Sequence, residues 1–231
     1  MKIAIMGAMS EEVAPILEAL GNYNTVEYAG NKYYEATYKG VDVVVAYSKI
    51  GKVFSTLTAT TMIEHFGCDR LLFSGVAGAI NPELKVGDLI IATKLAQHDL
   101  DITAFGHPHG YVPEGAVFVD ADRSLIETGK KVATSLGKSV KEGVIATGDQ
   151  FVADEERKNW IAATFNADAL EMEGASVAVV CNALGVPFFI LRAISDAADM
   201  DASFSFDAFL ETSAIESAQF VMQMVDEIVG Q

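Results

Sequence analysis

Short apolar runs rich in Val, Ile, Leu and Phe recur along this chain, with longer stretches of helical spacing between them, and that alternation leaves few architectures open. Residues 2–9, KIAIMGAM, read as a buried strand, and SEEVAPILEAL behind them puts Val13, Ile16, Leu17 and Leu20 on one helical face. NKYYEATYKG and VDVVVAYS read as a hairpin turning at Lys39-Gly40, and a helix across 52–66 stops at Gly67. Strands follow at 69–79 and 87–94. Residues 95–121 break the rhythm with glycine, proline, histidine and aromatics, and read as a long ordered loop of the functional or interfacial kind. Helices at 122–136, 154–164, 174–185 and 206–229 then alternate with strands at 140–147, 167–173 and 186–195. The expectation is α/β: one three-layer α/β/α domain over residues 1–231, with a twisted, mostly parallel mixed sheet covered on both faces. No repeat, low-complexity tract or linker divides the chain, and 231 residues, 51% of them hydrophobic, suit one large core.

Charge excludes several partners. The net charge of −16 repels nucleic-acid phosphates and anionic lipid, so neither nucleic acid nor membrane is expected as a partner. Arg70, Arg123, Arg157 and Arg192 are scattered and form no basic patch in sequence. Cys68 and Cys181 stand alone, without CxxC or a histidine at ligand spacing, so two buried thiols are expected rather than a disulfide or a zinc site. The N-terminal apolar run is short and acids follow it at once, unlike a signal peptide, and no long charge-free apolar stretch spans a membrane; a cytoplasmic location is expected.

The stretch 169–199 is as apolar as a core, yet it contains Glu171, Glu173, Arg192, Asp196 and Asp199. Charges in such a setting are paired, hydrogen-bonded or used on a ligand, because burying one alone costs several kcal/mol (order of magnitude). A structural ion pair of Arg192 with one of the acids is the plain reading, and an active site at the ends of two core strands the sharper one. Ligands of open α/β sheets bind outside the carboxyl ends of the strands. The expected ends here carry Met9 and Glu12, then GVAGAI, TGDQFV, EMEG and SDAAD. Each has an ordinary explanation alone: Glu12 as an acid in a first helical turn, the glycines as a tight turn, Met9, Met172 and Phe151 as core. Together, Glu12, Glu171, Glu173 and Asp196 follow separate strand ends that one sheet would gather. Carboxylates sharing an apolar pocket have their pKa values driven apart, which supplies a general acid and a general base for glycosidic cleavage through an oxocarbenium-like transition state.

GAMSEEV, SKIGKV, GVAGAI, LKVGDLIIA, HDLDITAFG, TGDQFV, LEMEGASVAVVC, and RAISDAAD followed by SFDAFL resemble, in order and spacing, the bacterial 5′-methylthioadenosine/S-adenosylhomocysteine nucleosidases of the purine nucleoside phosphorylase superfamily. The likeness runs from Met1 to the C-terminal helix. It implies a nucleoside phosphorylase/hydrolase-like fold and hydrolysis of the N-glycosidic bond of methylthioadenosine, adenosylhomocysteine and 5′-deoxyadenosine, releasing adenine, with no cofactor and no metal. By the same resemblance Glu12 activates the water, Asp196 protonates adenine N7, and Glu173 holds the ribose hydroxyls with Met172 under the sugar. Phe151 would stack on adenine, the backbone of Val152 would read its edge, and Ala77 and Gly78 would line the purine site. Arg192 and Ser195 would support Asp196, the water and Glu173, and Met9, Ile50, Ala198 and Phe206 complete the implied substrate contacts. Phe105 and Pro113 would reach the alkylthio pocket of a neighbouring subunit, so the resemblance implies a homodimer. Val76 departs from the pattern, since some members have serine there.

The acids of the first loop also bear on the choice of nucleophile. Glu11 and Glu12 in the first strand-end loop would repel a phosphate dianion, which phosphorolysis must hold with arginines, so water is the expected nucleophile. The alternatives are a related enzyme acting on another adenosine derivative of the aminodeoxyfutalosine type, or a non-catalytic nucleoside-binding protein, for which an intact Glu12 and Asp196 would have no use.

Overall fold

Strand β1 (Lys2–Gly7) is buried on both faces: Ile3 and Ile5 point to one side, Ala4 and Met6 to the other, and all are fully covered. The computed structural model describes residues 1–198 and 202–230, so Asp199 lies outside the described residues. Beyond β1 the chain runs through α1 (Ser10–Leu20), β2 (Asn24–Tyr28), β3 (Asn31–Tyr38), β4 (Val41–Tyr47), α2 (Lys52–Glu64), β5 (Arg70–Ala79), β6 (Leu89–Gln97) and β7 (Phe118–Asp120). It continues as α3 (Arg123–Ser135), β8 (Val140–Thr147), α4 (Glu155–Phe165), β9 (Ala169–Glu171), α5 (Gly174–Leu184), β10 (Phe188–Asp196) and α6 (Ala202–Val229).

The layers follow from the two faces of the sheet. Helices α2 and α5 set Ala59, Met62, Val177, Ala178 and Cys181 against Ala4, Met6, Leu71 and Phe73. On the other face α1, α3 and α6 set Ile16, Ile126, Val132, Phe220 and Val225 against Ile3, Ile5, Leu72 and Phe189. Each Val, Leu, Ile, Phe or Met among them contributes about 1.5–3 kcal/mol by leaving water. This is the expected α/β/α arrangement, and both cysteines are free and buried. Among the described residues no helix is long and apolar enough to cross a membrane. The Lys39-Gly40 turn also matches, with φ of 49° and 84°, the left-handed pair a two-residue hairpin demands.

The sheet is more mixed than the βαβ rhythm suggests. β4, β1, β5 and β10 pair in parallel, and so do β6, β8 and β9, but β10 meets β6 antiparallel and β9 meets β5 antiparallel. Strands β5, β10, β6, β8 and β9 therefore close on themselves as a ring. Closure forces a fork in β5. Along one edge Arg70–Phe73 pair with β1, whereas Gly78 and Ala79 pair with β9. Between those two partnerships that edge is left open, and the site sits there.

Several expected boundaries need correction. The β2 segment was not expected, because NTVEY is an exposed edge strand in which only Val26 is even half-buried. The loop of 95–121 is shorter at both ends: β6 continues to Gln97, β7 pairs with it, and a 3₁₀ turn occupies Thr103–Phe105. The strand expected at 167–173 is only Ala169–Glu171, so Glu173 stands at the N-terminus of α5 and not on a strand. Helix α6 begins at Ala202, ahead of residue 206.

Candidate active site

Glu12 lies in the first turn of α1, 1% exposed, and its side chain turns back over the end of β1. Oε2 accepts from the amides of Ala8 at 2.5 Å and Met9 at 3.0 Å, and Oε1 accepts from the amide of Val76 at 3.1 Å. The Val76 amide belongs to the open edge of β5, so a side chain takes the place of a neighbouring strand. Burial pushes the Glu12 carboxyl above the usual carboxylate range, against the opposing pull of Arg192 and the three amides. The ordinary explanation of Glu12 as a first-turn acid is correct as far as the Met9 contact goes, and Val76 adds a partner from outside the helix.

Asp196 ends β10 at 3% exposure. Its Oδ2 accepts from Ser195 Oγ at 2.9 Å and its Oδ1 from the amide of Ala198 at 2.8 Å. The glycines of GVAGA serve both acids. A Cβ on Gly75 would lie 2.8 Å from Glu12 Oε1, and one on Gly78 would lie 2.7 Å from Asp196 Oδ1. These are steric allowances for carboxylates, a stronger demand than the tight turn considered from sequence.

The two acids of EMEG part company at the start of α5. Glu171 Oε2 accepts from Arg192 Nη2 at 2.7 Å and from the amides of Gly174 at 2.7 Å and Glu173 at 3.2 Å, while Thr147 Oγ1 donates to Oε1. Arg192 is 1% exposed, donates to the carbonyls of Phe73 and Leu191, and lies with Cζ 4.1 Å from the centre of the Phe73 ring. The partner of Arg192 is thus Glu171. Glu173 Oε1 instead accepts from the Gly51 amide at the N-terminus of α2, at 2.7 Å. Burial and then the neighbouring charge of Glu171 push the Glu173 carboxyl up to about 8, although the Gly51 amide and Arg192 oppose this.

One cleft joins these groups. Its wall includes Glu12, Glu171, Glu173 and Asp196, so all four acids read from the sequence converge, together with Met9, Ile50, Ala77, Gly78, Phe151, Val152, Met172, Ser195 and Phe206. Phe206 meets Phe151 edge-on, with ring centres 5.8 Å apart. Arg192 is outside this wall and underlies it through Glu171. Ala198 is likewise outside the wall and reaches the site through its amide on Asp196. Phe105, 82% exposed, and Pro113, also exposed, do not join the cleft of this chain. Ala8, Val76, Gln150 and Leu170 line it without having been proposed from sequence. Their positions beside Met9, Ala77, Phe151 and Glu171 were the available signal. Among the described residues no lysine or arginine lines the cleft, and no group of His, Cys, Asp and Glu could hold a metal ion. What the arrangement offers is an apolar slot with one aromatic wall and acids at separate points of its lining.

Known proteins resemble this chain along nearly its whole length. The family model described as the phosphorylase superfamily matches residues 2–226. A Campylobacter jejuni protein named aminodeoxyfutalosine nucleosidase is 58% identical over 228 residues, covering 99% of this chain and 100% of that one. An Anoxybacillus flavithermus protein named 5′-methylthioadenosine/S-adenosylhomocysteine nucleosidase is 39% identical over 230 residues, 99% of each chain. Among solved structures, the futalosine hydrolase of Helicobacter pylori superposes with a TM-score of 0.97 at 52% identity, covering 98% of this chain and 97% of that one. The 5′-methylthioadenosine/S-adenosylhomocysteine nucleosidase of the same organism with butyl-thio-DADMe-Immucillin-A gives 0.96 at 52%, covering 98% of both.

Proposed function

The chain belongs to the phosphorylase superfamily, and we propose that it is a hydrolase that cleaves the N-glycosidic bond of adenine nucleosides carrying a 5′-substituent. The observation that carries this reading is the pair of buried acids, Glu12 and Asp196, on one apolar cleft, each fitted against its own glycine of β5. In the proposed reaction Glu12 accepts a proton from water, the water oxygen bonds to C1′, and the C1′–N9 bond breaks as Asp196 delivers a proton to N7 of adenine. The raised pKa of Glu12 brings a carboxylate closer to the range in which a general base works at neutral pH. Glu173 takes the ribose hydroxyls with Met172 beneath the sugar, and Phe151 stacks on the base beside the backbone of Val152. Ser195 and the Ala198 amide orient Asp196, and Arg192 acts at one remove by fixing Glu171. Water is favoured over phosphate as nucleophile because the cleft wall carries carboxylates and, among the described residues, no lysine or arginine.

Two substrate classes are supported together. Relatives named for methylthioadenosine and adenosylhomocysteine match along the whole chain, and so do those named for aminodeoxyfutalosine at higher identity. All of these carry adenine on ribose and differ at the 5′ side, where the rim of the cleft is exposed at Ile50. The proposal is one catalytic centre serving both. A homodimer belongs to the same reading: Ile50, Val53, Phe54 and Leu57 leave an exposed apolar face running from the rim onto α2, and Phe105 is exposed on the long loop. Phe105 and Pro113 would then close the partner's cleft. The deciding assay supplies methylthioadenosine, adenosylhomocysteine and aminodeoxyfutalosine, each with and without phosphate, and follows free adenine; kcat/KM ranks the three. Adenine is expected without phosphate. A phosphate requirement with a ribose 1-phosphate product would overturn hydrolysis, and a monomer in light scattering that is fully active would overturn the dimer.

A further inference from the structure

The first two amides of the α2 terminus are each taken by a different carboxylate. Gly51 donates to Glu173 at 2.7 Å, and Lys52 donates to Asp149 Oδ1 at 2.8 Å. Asp149 opens the irregular segment between β8 and α4, which supplies Gln150, Phe151 and Val152 to the cleft. Asp99 closes the arrangement from behind. Its Oδ2 accepts from the Asp149 amide at 2.8 Å and its Oδ1 from Lys52 Nζ at 2.6 Å, while Lys52 also donates to Gln97 Oε1 at 3.2 Å. The far end of the segment is tied to the same stretch of chain: Arg157 of α4 donates to the His98 carbonyl at 3.2 Å and meets His98 Nδ1 at 3.1 Å. The His98 ring in turn fills the space above Gly148, where a Cβ would fall 2.3 Å from Cε1. His98 and Asp99 therefore tie the Phe151 segment and the helix after it to one stretch of chain without entering the cleft.

We propose that Asp99 is a positioning residue that, through Lys52 and Asp149, sets the spacing between the Phe151 wall and Glu173. Because one helix terminus anchors both sides, loss of the Asp99 clamp frees the aromatic wall while leaving Glu12 and Asp196 in place. The proposal rests on the nucleosidase reading, and adenine itself is the probe that separates the two. Calorimetry is run with adenine on the full-length protein, alongside steady-state kinetics with methylthioadenosine. Asp99→Ala is expected to raise KM and the adenine Kd about tenfold with kcat reduced less than about threefold, the scale of one charge-assisted hydrogen bond. Asp99→Asn, which can still accept from the Asp149 amide, should fall between. Lys52→Met removes the same clamp from the α2 side and must show the same split. A folded Lys52→Met protein with wild-type adenine affinity overturns the proposal even where Asp99→Ala is too unstable to assay, and so does a loss confined to kcat. Failure of the wild type to bind adenine would instead overturn the functional reading beneath it.

Discussion

Replacing Gly78 with alanine tests whether the geometry of Asp196 carries the chemistry. The added Cβ would stand 2.7 Å from Asp196 Oδ1 and 3.2 Å from Ala198 Cβ, where ordinary contact begins near 3.4 Å. Gly78 does not occupy the left-handed region, so alanine brings no backbone strain and the carboxylate must give way by about 0.7 Å. That movement strains the 2.8 Å hydrogen bond from the Ala198 amide and tilts the acid away from its station. A misplacement of about 1 Å at a reacting group costs about 10²-fold, so kcat on methylthioadenosine should fall about 10- to 100-fold. Adenine affinity should change far less, because Phe151 and Val152 stay where they are. The control is Gly129→Ala, whose Cβ would strike Phe189 Cε2 at 2.7 Å in the core, away from the cleft. Overpacking there should cost about 1–3 kcal/mol of stability and leave the turnover of folded protein intact. Adenine release followed continuously, with thermal melts of both variants, separates the two effects. Turnover of Gly78→Ala within threefold of wild type would refute the argument that Asp196 needs this space.

Three further outcomes follow from the same geometry. Asp196→Asn and Glu12→Gln should each lose on the order of 10²–10⁴-fold in turnover. On a p-nitrophenyl riboside, whose leaving group needs no proton, Asp196→Asn should recover much of its rate and Glu12→Gln should not; equal behaviour of the two would refute the division of roles. Glu173 keeps its proton in the fold up to about pH 8 against 4.5 in the unfolded chain, so its stabilising contribution is whole below the lower value and lost as pH rises to the upper. Glu173→Gln should consequently gain thermal stability relative to wild type across that window, and a difference that does not vary with pH would refute the raised pKa. Arg192→Met leaves Glu171 charged and unpaired, which should cost about 3–5 kcal/mol, and Arg192→Met with Glu171→Gln should restore part of it. Urea denaturation of both variants measures this, and a double variant no more stable than the single would contradict the pairing.

Much of the site was legible because burying charge is expensive. Glu171, Glu173, Arg192 and Asp196 stood out against their apolar surroundings, and the strand-end rule brought Glu12 to join them. Which acid would take Arg192 was not legible: Glu171 and Glu173 are two residues apart, as on one face of a strand, and only the turn into α5 after Glu171 sends them to different partners. The β2 and β7 strands escaped because an exposed edge strand and a three-residue strand leave almost no apolar period to read. Ring closure by β9 and β10 also left no local trace, since pairing between distant strands depends on the assembled sheet. The individual roles rest on the resemblance, and Ala198 and Arg192 reach the cleft each through another residue, Asp196 and Glu171.

The fork in β5 divides labour between main chain and side chains. Glu12 is anchored by the amides of Ala8, Met9 and Val76, donors that every amino acid except proline supplies. The same three residues line the cleft. On the proposed function, Ala8, Met9 or Val76 could therefore be exchanged to suit a bulkier or more polar nucleoside without unseating Glu12, the base proposed to take the proton from the attacking water. The anchorage of Glu12 then rests on the backbone, and the lining of the cleft can change around it.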